Sequence, residues 1–162
     1  MTEVLGLRLA YRGFVTGLAA AYVWLALAMI VAALVAGDAL GPLRPLATAL
    51  VDGAGTIPEL AFVIGFALVQ LGGALVGMCF AYFFGRFFTV RMTLAAAAPL
   101  FALLAWALLA TGLATLTRTD AGLEMAPLVA TIFYGLVLGI GLPLRGDVLR
   151  AEGATHGGSP VT

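Results

Sequence analysis

The chain contains no lysine, one cysteine and one histidine, and four long stretches of it carry no charged residue at all. With Cys79 alone, no disulfide within the chain, CxxC redox pair or cysteine zinc site can form. Cys79 falls inside the second uncharged stretch, where it is expected to be buried and inert. His156 lies in the polar segment 146–162, which reads as a flexible, solvated tail. The formal net charge is zero, so no electrostatic footprint for nucleic acid is present and no nucleic-acid partner is expected.

What the chain has in place of charge is apolar length. Residues 13–37, 60–85, 92–117 and 125–144 are the uncharged stretches, each about 20 to 26 residues long. A helix rising about 1.5 Å per residue needs about 20 residues to cross roughly 30 Å of hydrocarbon. A hydrophobic fraction of 63%, a charged fraction of 10% and a mean hydropathy of +1.14 lie far from soluble-domain values. The expected fold is an all-α membrane protein, a four-transmembrane-helix bundle over residues 1–145 followed by the tail. The first stretch follows two arginines as a signal peptide would, but its apolar run of about 25 residues exceeds a typical signal core of about 7 to 15. A retained span is expected.

All eight basic residues are arginine, and they set the expected orientation. Arg8, Arg12, Arg86, Arg91, Arg145 and Arg150 share one side, against Arg44 and Arg118 on the other. Both termini are therefore expected in the cytoplasm. The all-Arg bias and the Ala and Gly abundance fit a GC-rich genome, so the expected location is a bacterial inner membrane.

The only long connection, from Asp38 to Pro58, carries Leu43, Leu46 and Leu50 at spacings of three and four after Pro42 and Pro45. Asp52-Gly53 closes that run, which predicts a short helix at the outer interface that caps the bundle or forms part of a docking face. The acidic residues Asp38, Asp52, Glu59, Asp120 and Glu124 gather on the same outer side. Their spacing matches no metal loop, and helix-end capping accounts for them.

Small residues should line the faces where membrane helices meet, because burial from water no longer favours association there. Gly73, Gly77, Ala81 and Gly85 recur every four residues in the second span, beside Gly65 and Gly72. Thr131, Gly135 and Gly139 repeat the spacing in the fourth, and Gly13, Gly17 and Ala21 in the first. The third uses Ala98, Ala102, Ala110 and Ala114, interrupted by Trp106. These faces are read as helix-packing surfaces, within the monomer, against a partner subunit, or around a bound lipid or pigment. Gly73 to Gly77 also answers Gly135 to Gly139, as a duplicated helical hairpin would.

Gln70, at the middle of the second span, needs a hydrogen-bond partner in hydrocarbon. Tyr22, Tyr82 and Tyr134 are candidates, and the alternative is contact with a ligand. Thr16 and Thr131 can bond back to their own helix carbonyls. Pro127 is close to a first turn, where its missing N–H is harmless, whereas Pro99 lies inside its span and leaves the Ala95 carbonyl without its usual donor.

The uncharged spans hold no histidine for bis-His haem and no carboxylate for ordinary proton coupling. No catalytic, cofactor or metal residue is expected, although a lipid or quinone between spans stays open. The run from Gln70 to Phe88 and the segment Phe133 to Gly139 resemble small uncharacterised bacterial four-span membrane proteins grouped as domains of unknown function. That resemblance implies the four-span fold and no site residue. The expected function is a non-catalytic membrane subunit packing against larger partners, as an accessory subunit of a respiratory or photosynthetic complex does. The alternative is a small oligomeric channel or transporter for a neutral or apolar solute.

Overall fold

The computed structural model describes residues 2–85, 87, 90–117 and 125–142. Among these the chain is all-helical. Five α-helices, α1 (Thr2–Ala36), α2 (Arg44–Leu50), α3 (Pro58–Phe83), α4 (Arg91–Thr117) and α5 (Met125–Gly141), are joined by one 3-10 turn at Ala54–Thr56. Three of the helices, α1, α3 and α4, are long and apolar enough to cross a membrane. The fourth apolar helix, Ala126–Gly141, is shorter. Arg86, the loop with Arg118, Asp120 and Glu124, the tail with Arg145, Arg150 and His156, and the side chain of Ala114 lie outside the described residues.

The termini of the helices follow from local chemistry. Pro58 occupies the start of α3, where a missing N–H breaks no hydrogen bond, and Glu59 places its charge in the first turn beside the positive end of the dipole. α1 ends at Gly37, whose positive φ of 72° is the left-handed conformation that terminates helices, and the Gly37 N–H donates to the Ala33 carbonyl at 3.1 Å. α1 also begins well before its uncharged stretch, since Arg8 and Arg12 continue the helix without a breaker.

The four long helices form a chain of neighbours: α3 packs on α1, α1 on α5, and α5 on α4. α3 and α4, although consecutive in sequence, touch chiefly through aromatic rings. Phe101 lies 5.2 Å from Phe80 and 5.4 Å from Phe84, centroid to centroid. The core runs through this arc, with Ala20, Ala21, Phe80, Ala81, Leu94, Ala98, Ala102, Tyr134, Leu138 and Leu142 in one cluster. Alanine dominates because facing backbones come close.

The close approaches are made by glycine. A Cβ added at Gly17 would lie 2.5 Å from the Gly73 carbonyl oxygen, and one at Gly77 2.5 Å from the Gly13 carbonyl oxygen and 2.7 Å from Gly17 Cα. Gly13 faces Ala81 and Gly77 in the same way. On the other side of the bundle, a Cβ on Gly139 would sit 2.8 Å from Ala95 Cα, and Gly135 abuts the backbone of Pro99. In each hairpin the glycines of the second helix approach the first: α3 on α1, α5 on α4. Pro99 is thus covered by α5 where its own helix lacks a hydrogen bond.

α2 and its flanks make the short helix expected after Asp38. Its buried face differs from the three leucines that mark it in sequence: Leu43 and Ala47 are buried, while Leu50 is exposed. Four-residue spacing from Leu43 reaches Ala47, and Leu43 fills the space above Gly65, where an added Cβ would lie 2.7 Å from the Leu43 Cβ. Arg44 fastens this segment. Its Nε donates to Asp38 Oδ2 at 2.9 Å and its Nη1 to the Gly55 carbonyl at 2.7 Å, and Asp38 Oδ1 accepts from the Leu40 N–H at 3.0 Å. The Arg44 hydrogen bond, then that of the Leu40 amide, holds the Asp38 carboxyl below the usual carboxylate range.

Candidate functional site

Among the described residues, one level of the bundle holds the buried polar side chains Gln70 and Thr131. The register of α1 on α3 is set by Gly13 against Gly77 and Ala81, Gly17 against Gly73 and Gly77, and Ala21 against Gly73. One further turn brings Trp24 and Leu25 to the level of Gln70. At that level Trp24 Nε1 donates to Thr131 Oγ1 at 2.9 Å, tying α1 to α5. Thr131 in turn donates to the Pro127 carbonyl at 2.7 Å, within its own helix. One turn deeper, Tyr134 Oη donates to the Gly73 carbonyl at 2.6 Å, tying α5 to α3. Three helices therefore meet in a layer formed by Trp24, Gln70, Gly73, Thr131 and Tyr134.

Glycine makes the Tyr134 contact accessible. A Cβ on Gly73 would stand 3.3 Å from the Tyr134 ring and 2.6 Å from the Ala21 Cβ, so any side chain there would displace one of them. The Gly73 oxygen already accepts within α3, and its second lone pair takes the tyrosine hydroxyl. Each of these interhelical bonds is worth about 0.6 kcal/mol on average and up to about 1.7 kcal/mol in hydrocarbon.

Gln70 differs from its neighbours. It is 8% exposed, and among the described residues neither Oε1 nor Nε2 has a hydrogen-bond partner. None of the three tyrosines read as candidate partners reaches it. Tyr134 is directed at Gly73, while Tyr22 and Tyr82 are more than half exposed and pack against Phe66 and Phe83. The reason is position: Gln70 shares the face of Gly73, Ala74 and Gly77, which α1 covers, whereas Tyr22 packs on Phe66 at the rim of that contact and Tyr82 lies over Gly6, about 18 Å along α3 from Gln70. Leaving a buried amide unpaired costs about 1–3 kcal/mol.

The other residues singled out in sequence divide clearly. Gly73, Gly77 and Ala81 face α1, and Gly135 and Gly139 face α4. Gly85 belongs to neither contact: it lies past the end of α3, its N–H donating to the Ala81 carbonyl at 3.0 Å. Gly72 also stands apart, with nothing within 4 Å of an added Cβ. Thr16 bonds back to the Arg12 carbonyl at 2.8 Å, as its helical position suggests. Cys79 is exposed rather than buried in the protein, because four-residue steps from Leu71 and Leu75 place it on the outward face of α3.

Trp24 is the participant that sequence reading passes over. An indole N–H among aliphatic neighbours is itself a signal, since a buried Trp requires an acceptor. Among the described residues no cluster of three or more His, Cys, Asp or Glu stands ready for a metal ion. Compared with family models, with curated proteins and with solved structures, the chain matches none of them.

Proposed function

We propose that the chain is a four-span integral protein of a bacterial inner membrane, with both termini cytoplasmic, serving as a non-catalytic subunit that packs against larger membrane proteins. α5, at 17 residues, is about 25 Å long, slightly short of the hydrocarbon thickness. Uncharged sequence continues through Leu144, and this extension supports a fourth crossing.

The observation that carries the subunit reading is how the polar groups of the layer are used. Trp24, Thr131 and Tyr134 bind one another or backbone, holding helices together. The outward faces are apolar: Leu100, Leu104 and Leu108 on α4 are 69%, 60% and 65% exposed. Such a bundle offers surfaces to its surroundings. The test is purification from its native membrane in mild detergent. A subunit co-migrates reproducibly with larger membrane proteins, and recovery solely as a homogeneous species of this chain rejects the reading.

A second reading has one observation in its favour, the Gln70 amide, which has no partner among the described residues and lies at the level of Thr131 and Tyr134. A small oligomeric channel or transporter for a neutral solute would use such a group as its polar contact. Solute flux into reconstituted vesicles that is unchanged by Gln70→Leu removes Gln70 from that path.

A further inference from the structure

We infer that the Gln70 amide is a binding site for one small neutral hydroxyl group, supplied by water or by a small uncharged solute, enclosed between α1 and α3. The geometry narrows the ligand in three steps. First, neither end of the amide has a partner among the described residues: Nε2 needs an acceptor and Oε1 needs a donor. A hydroxyl supplies both from one oxygen, whereas a carbonyl answers only the nitrogen. Second, the polar neighbours are already directed elsewhere. The Trp24 N–H points at Thr131, the Thr131 hydroxyl at Pro127 and the Tyr134 hydroxyl at Gly73, so their donors are used, while the Thr131 and Tyr134 oxygens keep capacity to accept.

Third, the surroundings select against charge and bulk. Residues 13–37, 60–85 and 125–144 contain no ionisable Asp, Glu, Lys, Arg or His, so a bound ion would have no counter-charge. On α1 this level is occupied by Trp24 and Leu25, with the small, buried Ala21 one turn away at Gly73. Below Gln70 the seam is closed by the glycine contacts, and above it Leu43 fills the notch at Gly65. Buried waters typically make about three hydrogen bonds to polar groups that otherwise lack partners. The amide offers two, and a lone pair at the same level offers a third.

This inference is independent of what the chain associates with. It is tested on the whole protein in mild detergent, perdeuterated on carbon and carrying nitrogen-labelled glutamine side chains. In glycerol-free buffer, cross-relaxation is measured from the Gln70 Nε2 protons. A cross-peak to water that persists in Tyr134→Phe, where hydroxyl relay is removed, identifies water as the occupant. Cross-peaks to carbon-bound protons of a co-purified hydroxyl compound identify a solute. Cross-peaks to protein protons alone, with the amide turned to a protein acceptor, overturn the inference. The thermal midpoint of Gln70→Met provides an independent reading, because methionine keeps the length and removes both polar atoms. An occupied site predicts a lower midpoint. A raised midpoint means that the amide had no partner to lose, and overturns the proposal.

Discussion

Gly77→Ala adds one methyl group where two backbones leave no room for it. The new Cβ would stand 2.5 Å from the Gly13 oxygen, and ordinary contact begins at 3.4 Å, so α1 must retreat by 3.4 − 2.5 = 0.9 Å. A gap of 0.5–1 Å forfeits about a quarter to a half of each dispersion contact along the seam. Neither the Gly13 oxygen nor the Gly17 Cα, 2.7 Å from the same Cβ, can rotate aside, because both are backbone. Overpacking of this kind costs about 1–3 kcal/mol. Alanine's better helix propensity, up to about 1 kcal/mol in water, acts the other way. Gly72→Ala cancels that gain, since it carries the same propensity change with nothing within 4 Å of the added Cβ. The difference between the two variants is therefore steric, about 1–3 kcal/mol. At about 2–4 °C per kcal/mol, it appears as a lower thermal midpoint for Gly77→Ala in detergent, followed by circular dichroism. Equal midpoints for the two variants would refute the proposed backbone contact.

Other consequences follow from the same geometry. Gly135→Ala should lower the midpoint relative to Gly72→Ala, because the Pro99 backbone blocks its Cβ; an unchanged midpoint would place α5 farther from α4. A double-mutant cycle of Trp24→Phe and Thr131→Val should give a coupling of about 0.6–1.7 kcal/mol in a reversible unfolding assay, and zero coupling would remove that bond. For Asp38, a carboxyl pKa depressed by Arg44 contributes stability above its ordinary value of 3.8 that is lost as pH falls through the folded value. Exchange of the Leu40 amide should accelerate as pH drops through that range, after correction for intrinsic rates, and Asp38→Asn should abolish the acceleration.

The helices are legible because their signals are local. The uncharged stretches at 60–85 and 92–117 nearly coincide with Pro58–Phe83 and Arg91–Thr117, since composition and prolines or arginines set those ends. The glycine spacing also marks which residues adjoin a neighbouring backbone. It does not say which neighbour: Gly135 and Gly73 look alike in sequence, yet one faces α4 and the other α1. Partnering of polar side chains is less legible still. Trp24 and Thr131 are 107 residues apart, and their meeting depends on the rotation of two helices that no periodicity reports. Gln70 is visible as a polar residue in an apolar run, but the tyrosines that could have satisfied it are engaged elsewhere, Tyr22 on Phe66, Tyr82 over Gly6 and Tyr134 on the Gly73 carbonyl. Gly85 continues the four-residue repeat on paper and falls outside the contact because α3 has ended by Phe83.

Reporter fusions test the central claim, a four-span bundle with cytoplasmic termini, most directly. Alkaline phosphatase, active only outside the cytoplasm, and green fluorescent protein, fluorescent only within it when exported unfolded, are fused in parallel after Ala121 and after Leu142. The account predicts phosphatase activity without fluorescence at Ala121, and fluorescence without phosphatase activity at Leu142. Phosphatase activity at both positions would show that α5 does not cross, and would contradict the claim.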